Sequence, residues 1–446
     1  MGEEDDSKKQ HVIFGSAGMA ASGMMPGAKT KPKPKEKPVE PEVDLEPAVD
    51  FEEESAGIGA EAEEVIAEAP SLPEPPPFTD LKAAVVGQSG AGDFGHGLDT
   101  VFQRLDGVRL FALADLNAET VDDSTVHAGA PAGCSDFAEM LEKESPDLVC
   151  IASLHTEKRF EQIKAALEAG SHVLSEAPLA RTLRESDELL SLAKSSDRKL
   201  AVRHPMRVDP YLMRFHAERE SLIGELCQIR VWGACDESAG GEDMLRNGMP
   251  LFDLVRWFAG EVSYCTASIS KGGIAAIAED FHESEAGDFG PLLGDTIHAE
   301  FEMDSGVRVS FVSDQKFQSI LGPSGIEFVG TKSKMCLTAG APVTMSYLIN
   351  PDPYSATRTE TWEHWPKING DYHAPVDHLT GNDAANRLVV KDWLAASAQG
   401  AEPTCSGSNA AKALEMAHGI WQAGVTMKRA YFPLANRLHP LSEESQ

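Results

Sequence analysis

The sequence has little positive charge. Its 446 residues carry 39 Lys and Arg against 71 Asp and Glu, a formal net charge of −32. So acidic a chain repels other polyanions, which excludes nucleic acid and anionic membrane surfaces as partners. Long apolar runs are also lacking. No stretch of roughly 18 consecutive apolar residues occurs, so no segment reads as a membrane-spanning helix. Cysteine is sparse and scattered: the seven at 134, 150, 227, 235, 265, 336 and 405 include no CxxC pair. That excludes a disulfide framework or a zinc knuckle and suits buried thiols in a reducing compartment. A cytoplasmic location follows as the expectation. With 42% hydrophobic residues, the chain as a whole is neither disordered nor fibrous, and its length suggests two or three domains.

The acidity is uneven. Residues 1–80 hold seven basic and nineteen acidic residues, and eleven of the 27 prolines fall between Pro26 and Pro77. Runs such as KPKPKEKPVEPEVDLEP and SLPEPPP form neither helix nor sheet and bury little. Residues 1–79 are therefore expected to be a disordered, acidic, Pro-rich tail, either a tether or a solvated segment without a role. Lys8 and Lys9 before VIFGSAGMAASGMM offer an alternative, a degenerate twin-arginine-like export signal. The acidic start at Glu3, Glu4, Asp5 and Asp6 opposes it.

Beyond the tail the pattern changes. LKAAVVG is an apolar run ending at Gly87, as suits a buried parallel strand. It leads into a glycine-rich stretch in which Gly90, Gly92 and Gly95 fit GxGxxG. A helix-compatible segment, LDTVFQRL, follows, and then the strand-like VRLFALA, ending at Asp115. Glycines permit a tight turn and close approach to a pyrophosphate, and a helix N-terminus favours the anion. An acid about 20 residues further on accepts the adenosine ribose hydroxyls, which favours NAD over NADP. DLVCIAS, SHVLSE and KLAVRH read as further strands. Between them EKRFEQIKAALEAG and RESDELLSLAKSS read as helices. Repeated βα units imply a doubly wound parallel sheet with ligands outside the carboxyl ends of its strands. Gly87, Gly90, Gly92, Gly95, Asp115, Ser153 and Glu176 are thus the candidate cofactor residues. Residues 206–350 change register to strand-like runs, CQIRVWGACD, SYCTASIS, TIHAEFEM, VRVSFVSD, IEFVG and VTMSYLI, some separated by turn residues.

The order of these residues resembles the Gfo/Idh/MocA family, named for glucose–fructose oxidoreductase and inositol dehydrogenase. AALEAGSHVLSEAPLARTLRESDELL resembles that family's run through its Glu-Lys-Pro motif. GGEDMLRNGMPLFDLVRWFAGE resembles its Gly-rich helix. GDFGHGLD and FPLANRLHPL resemble one bacterial branch. The resemblance spans about residues 81–440. It implies an α/β chain: a Rossmann domain (80–205), then an α/β domain (206–440) with a large, open, mostly antiparallel sheet. It also implies an NAD(P)-dependent oxidoreductase acting on a sugar, polyol or related compound. A homo-oligomer is implied too, because the back of that sheet often packs against another subunit.

The resemblance stops at the proton-transfer groups. Where the family has Lys in Glu-Lys-Pro, this chain has Ala177. The family's Asp and His on the later helix correspond to Arg246 and Pro250, and a His common in the helix after the fourth strand corresponds to Arg159. Alcohol oxidation still needs a proton acceptor. His204 is the candidate, since imidazole titrates near neutral pH; a structural His at a domain junction is the other reading. Arg203, Arg207, Asp236 and Arg246 are the candidate substrate contacts. With Arg159 the three arginines suit an anionic ligand, such as a dinucleotide or an acidic sugar; a surface position is the other reading of Arg246. Glu237, Glu242 and Asp243 flank that helix and suit sugar hydroxyls or plain solvation. Trp362 and Trp365 suit stacking on a sugar ring, and His364, His373 and His378 share their loop. EDFHESEAGDFG (279–290) matches no zinc or calcium spacing, so no metal is assigned. Three functional readings stand: an oxidoreductase with a noncanonical site, a dinucleotide-binding pseudoenzyme or scaffold, and a lyase or hydrolase working by transient oxidation at NAD.

Overall fold

The computed structural model describes residues 80–442 apart from 91–92, 285–288, 341–342, 350–359, 366, 369–370 and 373–380. The acidic tail, the export-like segment, Gly92, His373 and His378 lie outside the described residues.

The first half alternates strands and helices: β1 (Leu81–Gly87), β2 (Val108–Asp115), α1 (Val121–Ala128), β3 (Gly133–Cys134), α2 (Phe137–Glu144), β4 (Leu148–Ile151), α3 (Arg159–Glu168), β5 (His172–Ser175), α4 (Leu183–Ser195) and β6 (Leu200–Val202). The strands form one parallel sheet in the order β3-β2-β1-β4-β5-β6. That order reverses between β1 and β4, the switch point where such sheets bind ligands. Alternation within β1 sends Ala83 and Val85 into one core and Ala84 and Val86 into the other. Both faces are covered, which explains the near-continuous apolar strands. α4 starts at a full capping box, with the Thr182 hydroxyl on the Glu185 amide and Glu185 answering at Thr182.

One expected element is nearly absent. LDTVFQRL yields only a 3₁₀ turn at Val101–Arg104. Gly95 (φ +60°) and Gly97 (φ +80°) hold left-handed backbone that an α-helix does not accommodate. The face that helix would cover is filled from far along the chain. Val389, Val390, Trp393 and Leu394 of the helix Asn382–Gln399 pack in one cluster with Phe94, Leu98, Val101 and Phe102.

The second half carries α5 (Pro210–Leu222), β7 (Leu226–Trp232), a helix in three pieces, and β8 (Val262–Lys271). The large sheet runs Trp362–His364, Thr344–Leu348, Lys334–Thr338, Gly325–Gly330, β7, Arg308–Asp314, Thr296–Met303, β8, Ala430–Tyr431. It is antiparallel except where β7 pairs with Arg308–Asp314. Lys334–Thr338 was not anticipated in the sequence. Along Thr296–Met303, Ile297, Ala299, Phe301 and Met303 are buried while His298 and Glu300 are exposed. One face of the sheet thus meets the helices and the other is polar.

The three-piece helix comprises α6 (Gly241–Asp243), a π-turn at Met244–Gly248 and α7 (Met249–Ala259). Pro250 has no N–H to give the carbonyl four residues back, and its ring crowds that carbonyl. The chain relieves this with an i→i+5 bond, Met249 N–H to the Met244 carbonyl. Among the described residues, no helix is long and apolar enough to cross a membrane.

Candidate active site at the carboxyl rim of the parallel sheet

The glycine-rich loop leaves β1 and folds back on itself. The Gln88 amide donates to the Asp93 carbonyl (3.2 Å), and the Gly90 amide donates to the Asp93 carboxylate (2.8 Å). Phe94 lies against Gly87, where a Cβ would meet its ring at 2.5 Å. Gly95 sits against the ends of β4 and β5; a Cβ there would come within 2.5 Å of the Ala152 carbonyl and 2.8 Å of Glu176 Oε1. Gly90, with φ +77°, faces open space. The loop therefore crosses the switch point from the β2 side to the β5 side.

On the β2 side stands Asp115, fully buried. Its Oδ1 accepts the Ser89 and Asn117 amides (both 3.0 Å), and its Oδ2 accepts the hydroxyls of Ser89 (2.7 Å), Thr120 (2.8 Å) and Ser124 (2.7 Å). Burial pushes its carboxyl up, but these bonds outweigh burial and hold it below the ordinary range. The expected ribose acceptor is at the expected strand end, and the chain's own donors occupy it.

On the β5 side stands Glu176, also buried. Its Oε1 lies 3.0 Å from His96 Nδ1, 3.3 Å from the His96 amide and 3.8 Å from Arg203 Nε. Burial raises the Glu176 carboxyl. The His96 bond, then the charges of Arg203, His96 and Arg159, bring it below the usual carboxylate range. Arg203 donates to the amide oxygens of Asn386 (2.5 Å) and Asn382 (2.9 Å), and Asn386 donates to the His96 carbonyl (2.8 Å). The start of the helix Asn382–Gln399 thus ties Arg203 to the glycine loop.

The four arginines assigned above to an anionic ligand all have internal partners. Arg159, fully buried, donates to the carbonyls of Pro178 (2.6 Å), Ser153 (2.6 Å) and Leu154 (3.0 Å). Burial pulls its guanidinium down to about 10, opposed by Glu176, so it stays charged. Arg207 binds the Asp253 carboxylate (2.5 Å) and carbonyl (3.1 Å). Arg246 is half exposed and pairs with Glu242 one helical turn away (2.5 Å). Asp236 turns back on the Ser238 amide and hydroxyl. Asp243 is buried, accepting from Ala234, Cys235, Asn247 and Ser313.

His204 is 2% exposed. Its Nδ1 lies 3.5 Å from Asp253 Oδ2, and its Nε2 is enclosed without a hydrogen-bond partner. His204 and Asp253 resemble an oriented dyad but lie beneath the surface, out of a ligand's reach in this conformation. Trp365 is also buried, stacked edge-on to Phe215 in the core, so it is not a sugar platform. His96, Asn382, Asn386 and the hydroxyls around Asp115 carry the site yet escaped the sequence reading. For His96 the signal was present: a histidine one residue past the third glycine.

Gln88, Leu116, Ser153, His155, Lys158 and Gln162 line a recess at the ends of β1, β2 and β4. Lys158 Nζ, 3.5 Å from Gln88 Oε1, is a cation at that rim, beside the carboxylate of Glu157. The recess, the open backbone at Gly90 and that cation fit a dinucleotide, with Ser153 at the floor.

Residues 81–204 match the GFO_IDH_MocA family, described as an oxidoreductase family with an NAD-binding Rossmann fold. A D-apiose dehydrogenase of Paraburkholderia graminis is 23% identical over 74% of this chain and 85% of its own length. Over residues 81–204 the chain belongs to the Gfo/Idh/MocA family. A 4-carboxy-2-hydroxymuconate-6-semialdehyde dehydrogenase of Sphingobium is 27% identical, but the match covers only 31% of this chain and 43% of that protein. The fold is that of a levoglucosan dehydrogenase solved with NADH and levoglucosan, with a TM-score of 0.64 and 18% identity over 80% of this chain and all of that one. NAD is the cofactor to which this Gfo/Idh/MocA domain corresponds.

Proposed function

We propose that this Gfo/Idh/MocA protein is an NAD-linked oxidoreductase that oxidises a hydroxyl of a sugar, polyol or related compound, with an active site lacking the family's usual lysine, aspartate and histidine. The observation that carries the reading is the rim itself. At the switch point of a 3-2-1-4-5-6 sheet, an open glycine turn stands at a recess edged by Lys158, and the same loop runs on to a buried, ionised Glu176. Relatives named as sugar dehydrogenases support the substrate class. Ser153, Gly90 and Gly95 line the cofactor's path in this reading. Bound NAD supplies the hydride acceptor; the chain supplies binding, exclusion of water and a proton acceptor. The reading favours a neutral sugar over an anionic one, because Arg159, Arg203, Arg207 and Arg246 spend their charge on internal partners.

Titrating the full chain with NADH, followed by nicotinamide fluorescence, tests the cofactor. Adding NAD⁺ and a panel of aldoses, polyols and anhydrosugars, and following absorbance of the reduced nicotinamide, tests the reaction. Saturable binding with turnover on at least one neutral sugar is the expected result. Binding without turnover across the panel would convert the reading to a cofactor-binding pseudoenzyme, and no binding would remove both.

A further inference from the structure

The missing lysine and histidine leave the proposed reaction without an evident proton carrier, and the glycine loop holds one. His96 and Glu176 form a pair with one buried and one open member: the Glu176 side chain is 2% exposed and that of His96 is 43% exposed. Among the described residues, two other histidines lie within ion-pair reach of a buried carboxylate while staying open to solvent, His127 beside Asp99 and His298 beside Asp314, at 3.5 and 3.8 Å. Neither stands at the carboxyl rim, and neither is within hydrogen-bond distance. His96 Nδ1 is, at 3.0 Å.

The chemistry of the pair fixes its polarity. An ionised carboxylate only accepts, so His96 must donate through Nδ1–H. Nε2 then carries the imidazole's exchangeable lone pair and points away from Glu176. This division of labour lets a buried acid orient a base, since the carboxylate sets tautomer and ring direction and stabilises the imidazolium when it forms. The position suits the task. β4 and β5 form the half of the crevice opposite Asp115, and a dinucleotide laid across the switch point from the Asp115 side brings its far end over them. The loop carrying His96 is pinned there three times: at Gly95 against Ala152, at the His96 amide by Glu176, and at the His96 carbonyl by Asn386.

We propose that His96 is the acid–base group of this enzyme, standing in for the family's absent lysine and histidine, with Glu176 as its positioning residue. The inference rests on the oxidoreductase reading above. In the step, the substrate's C–H electron pair leaves as hydride to NAD⁺, which is reduced. The O–H bonding pair becomes the second bond of the new carbonyl. The released proton is taken up by the Nε2 lone pair, and in the reverse direction His96⁺ returns it to the alkoxide.

The test uses the full chain. Diethyl pyrocarbonate carbethoxylates accessible imidazole nitrogens, and peptide mass spectrometry locates the adducts. His96 should be modified in the free protein and shielded by saturating NADH, while exposed His127 and His298 react equally in both states. On any sugar that turns over, His96→Ala should lower kcat by about 10²- to 10⁴-fold, with NADH affinity within a few-fold and with recovery on adding imidazole. His96→Gln keeps a donor for Glu176, so it controls for folding, and it should be equally slow without rescue. Glu176→Gln removes the charge that fixes the tautomer, so the Nδ1–H form of His96 should lose its dominance in ¹⁵N-histidine spectra, and kcat should fall while NADH affinity stays within a few-fold, a split that a purely structural glutamate would not give. Equal carbethoxylation with and without NADH overturns the proposal, as does a His96→Ala enzyme within threefold of wild type. A wild-type protein that shields His96 with NADH yet oxidises nothing removes the oxidoreductase reading, and the acid–base role falls with it. Turnover that survives in His96→Ala removes the inference alone.

Discussion

Arg159 opens α3, and the structure gives it the work of a strut, which Arg159→Met tests. The guanidinium is wholly enclosed and makes three hydrogen bonds to carbonyls of two segments, Ser153–Leu154 after β4 and Pro178 after β5. Methionine fills similar volume but donates nothing. Each hydrogen bond from a charged donor contributes about 1.5–3 kcal/mol, and the three stranded carbonyls lose it together. Two effects offset the loss: the guanidinium no longer bears its own desolvation, and its Nε has no partner to lose. Glu176 meanwhile loses one of its compensating charges. Removing one member of a buried charged set costs about 3–5 kcal/mol, and the net falls in that range. With a urea slope of about 3 kcal/mol per molar, the unfolding midpoint drops by roughly 1–1.7 M. Tryptophan fluorescence against urea at neutral pH measures it. Arg159→Lys should fall between the two, because one ammonium cannot span a fork of three carbonyls. Arg159→His should be destabilised and no more active. A methionine variant as stable as wild type but inactive would refute the argument and make Arg159 a substrate contact.

Asp115→Asn should destabilise the protein by about 1–3 kcal/mol with no cofactor present, since asparagine cannot accept all five bonds that the carboxylate accepts. An acid serving only a ribose would leave cofactor-free urea stability unchanged, and that outcome would sink the claim. His439, buried against Trp421 and His418, is pushed down to about 4, by burial first and the charge of Arg181 second. Its folded pKa lies below its unfolded value, so its contribution is whole above about pH 6.5 and is lost as pH falls toward 4. At pH 5 the loss is about 2 kcal/mol. Comparing urea midpoints at pH 7.5 and 5.0, wild type should lose about that much more than His439→Gln, and equal losses would refute the linkage.

The parallel sheet was legible because its strands are short apolar runs and its helices carry a 3.6-residue period. β4, β5 and β6 lie inside DLVCIAS, SHVLSE and KLAVRH. The segment after the glycine loop misled because LDTVFQRL has helical spacing. Two left-handed glycines just before it deny a helix its start in the loop, and long-range packing by Val389 and Trp393 fills the face a longer helix would cover. Lys334–Thr338 was missed because KMCLT is too short and mixed to alternate clearly, and its pairing with Gly325–Gly330 makes it a strand.

The site was legible in position and not in partnership. Composition and spacing place Asp115, Glu176 and Arg203 on one rim, where the structure has them. What each side chain binds depends on residues up to 183 positions away, as with Arg203 and Asn386, and no local pattern encodes that. The four arginines show the consequence. In sequence, their clustering in an acidic chain read as an anion site; in three dimensions Arg159, Arg203 and Arg207 each answer nearby acceptors, because a buried guanidinium without partners is too costly to persist, and half-exposed Arg246 pairs with Glu242 on its own helix. Once every buried charge at the rim is matched to its partner, His96 is left, among the described residues, as the one rim imidazole that a buried carboxylate holds by a hydrogen bond and that still opens outward. In the proposed reaction that oriented imidazole is the group that would take the proton, because the positions that the family resemblance gives to lysine, aspartate and histidine hold Ala177, Arg246 and Pro250.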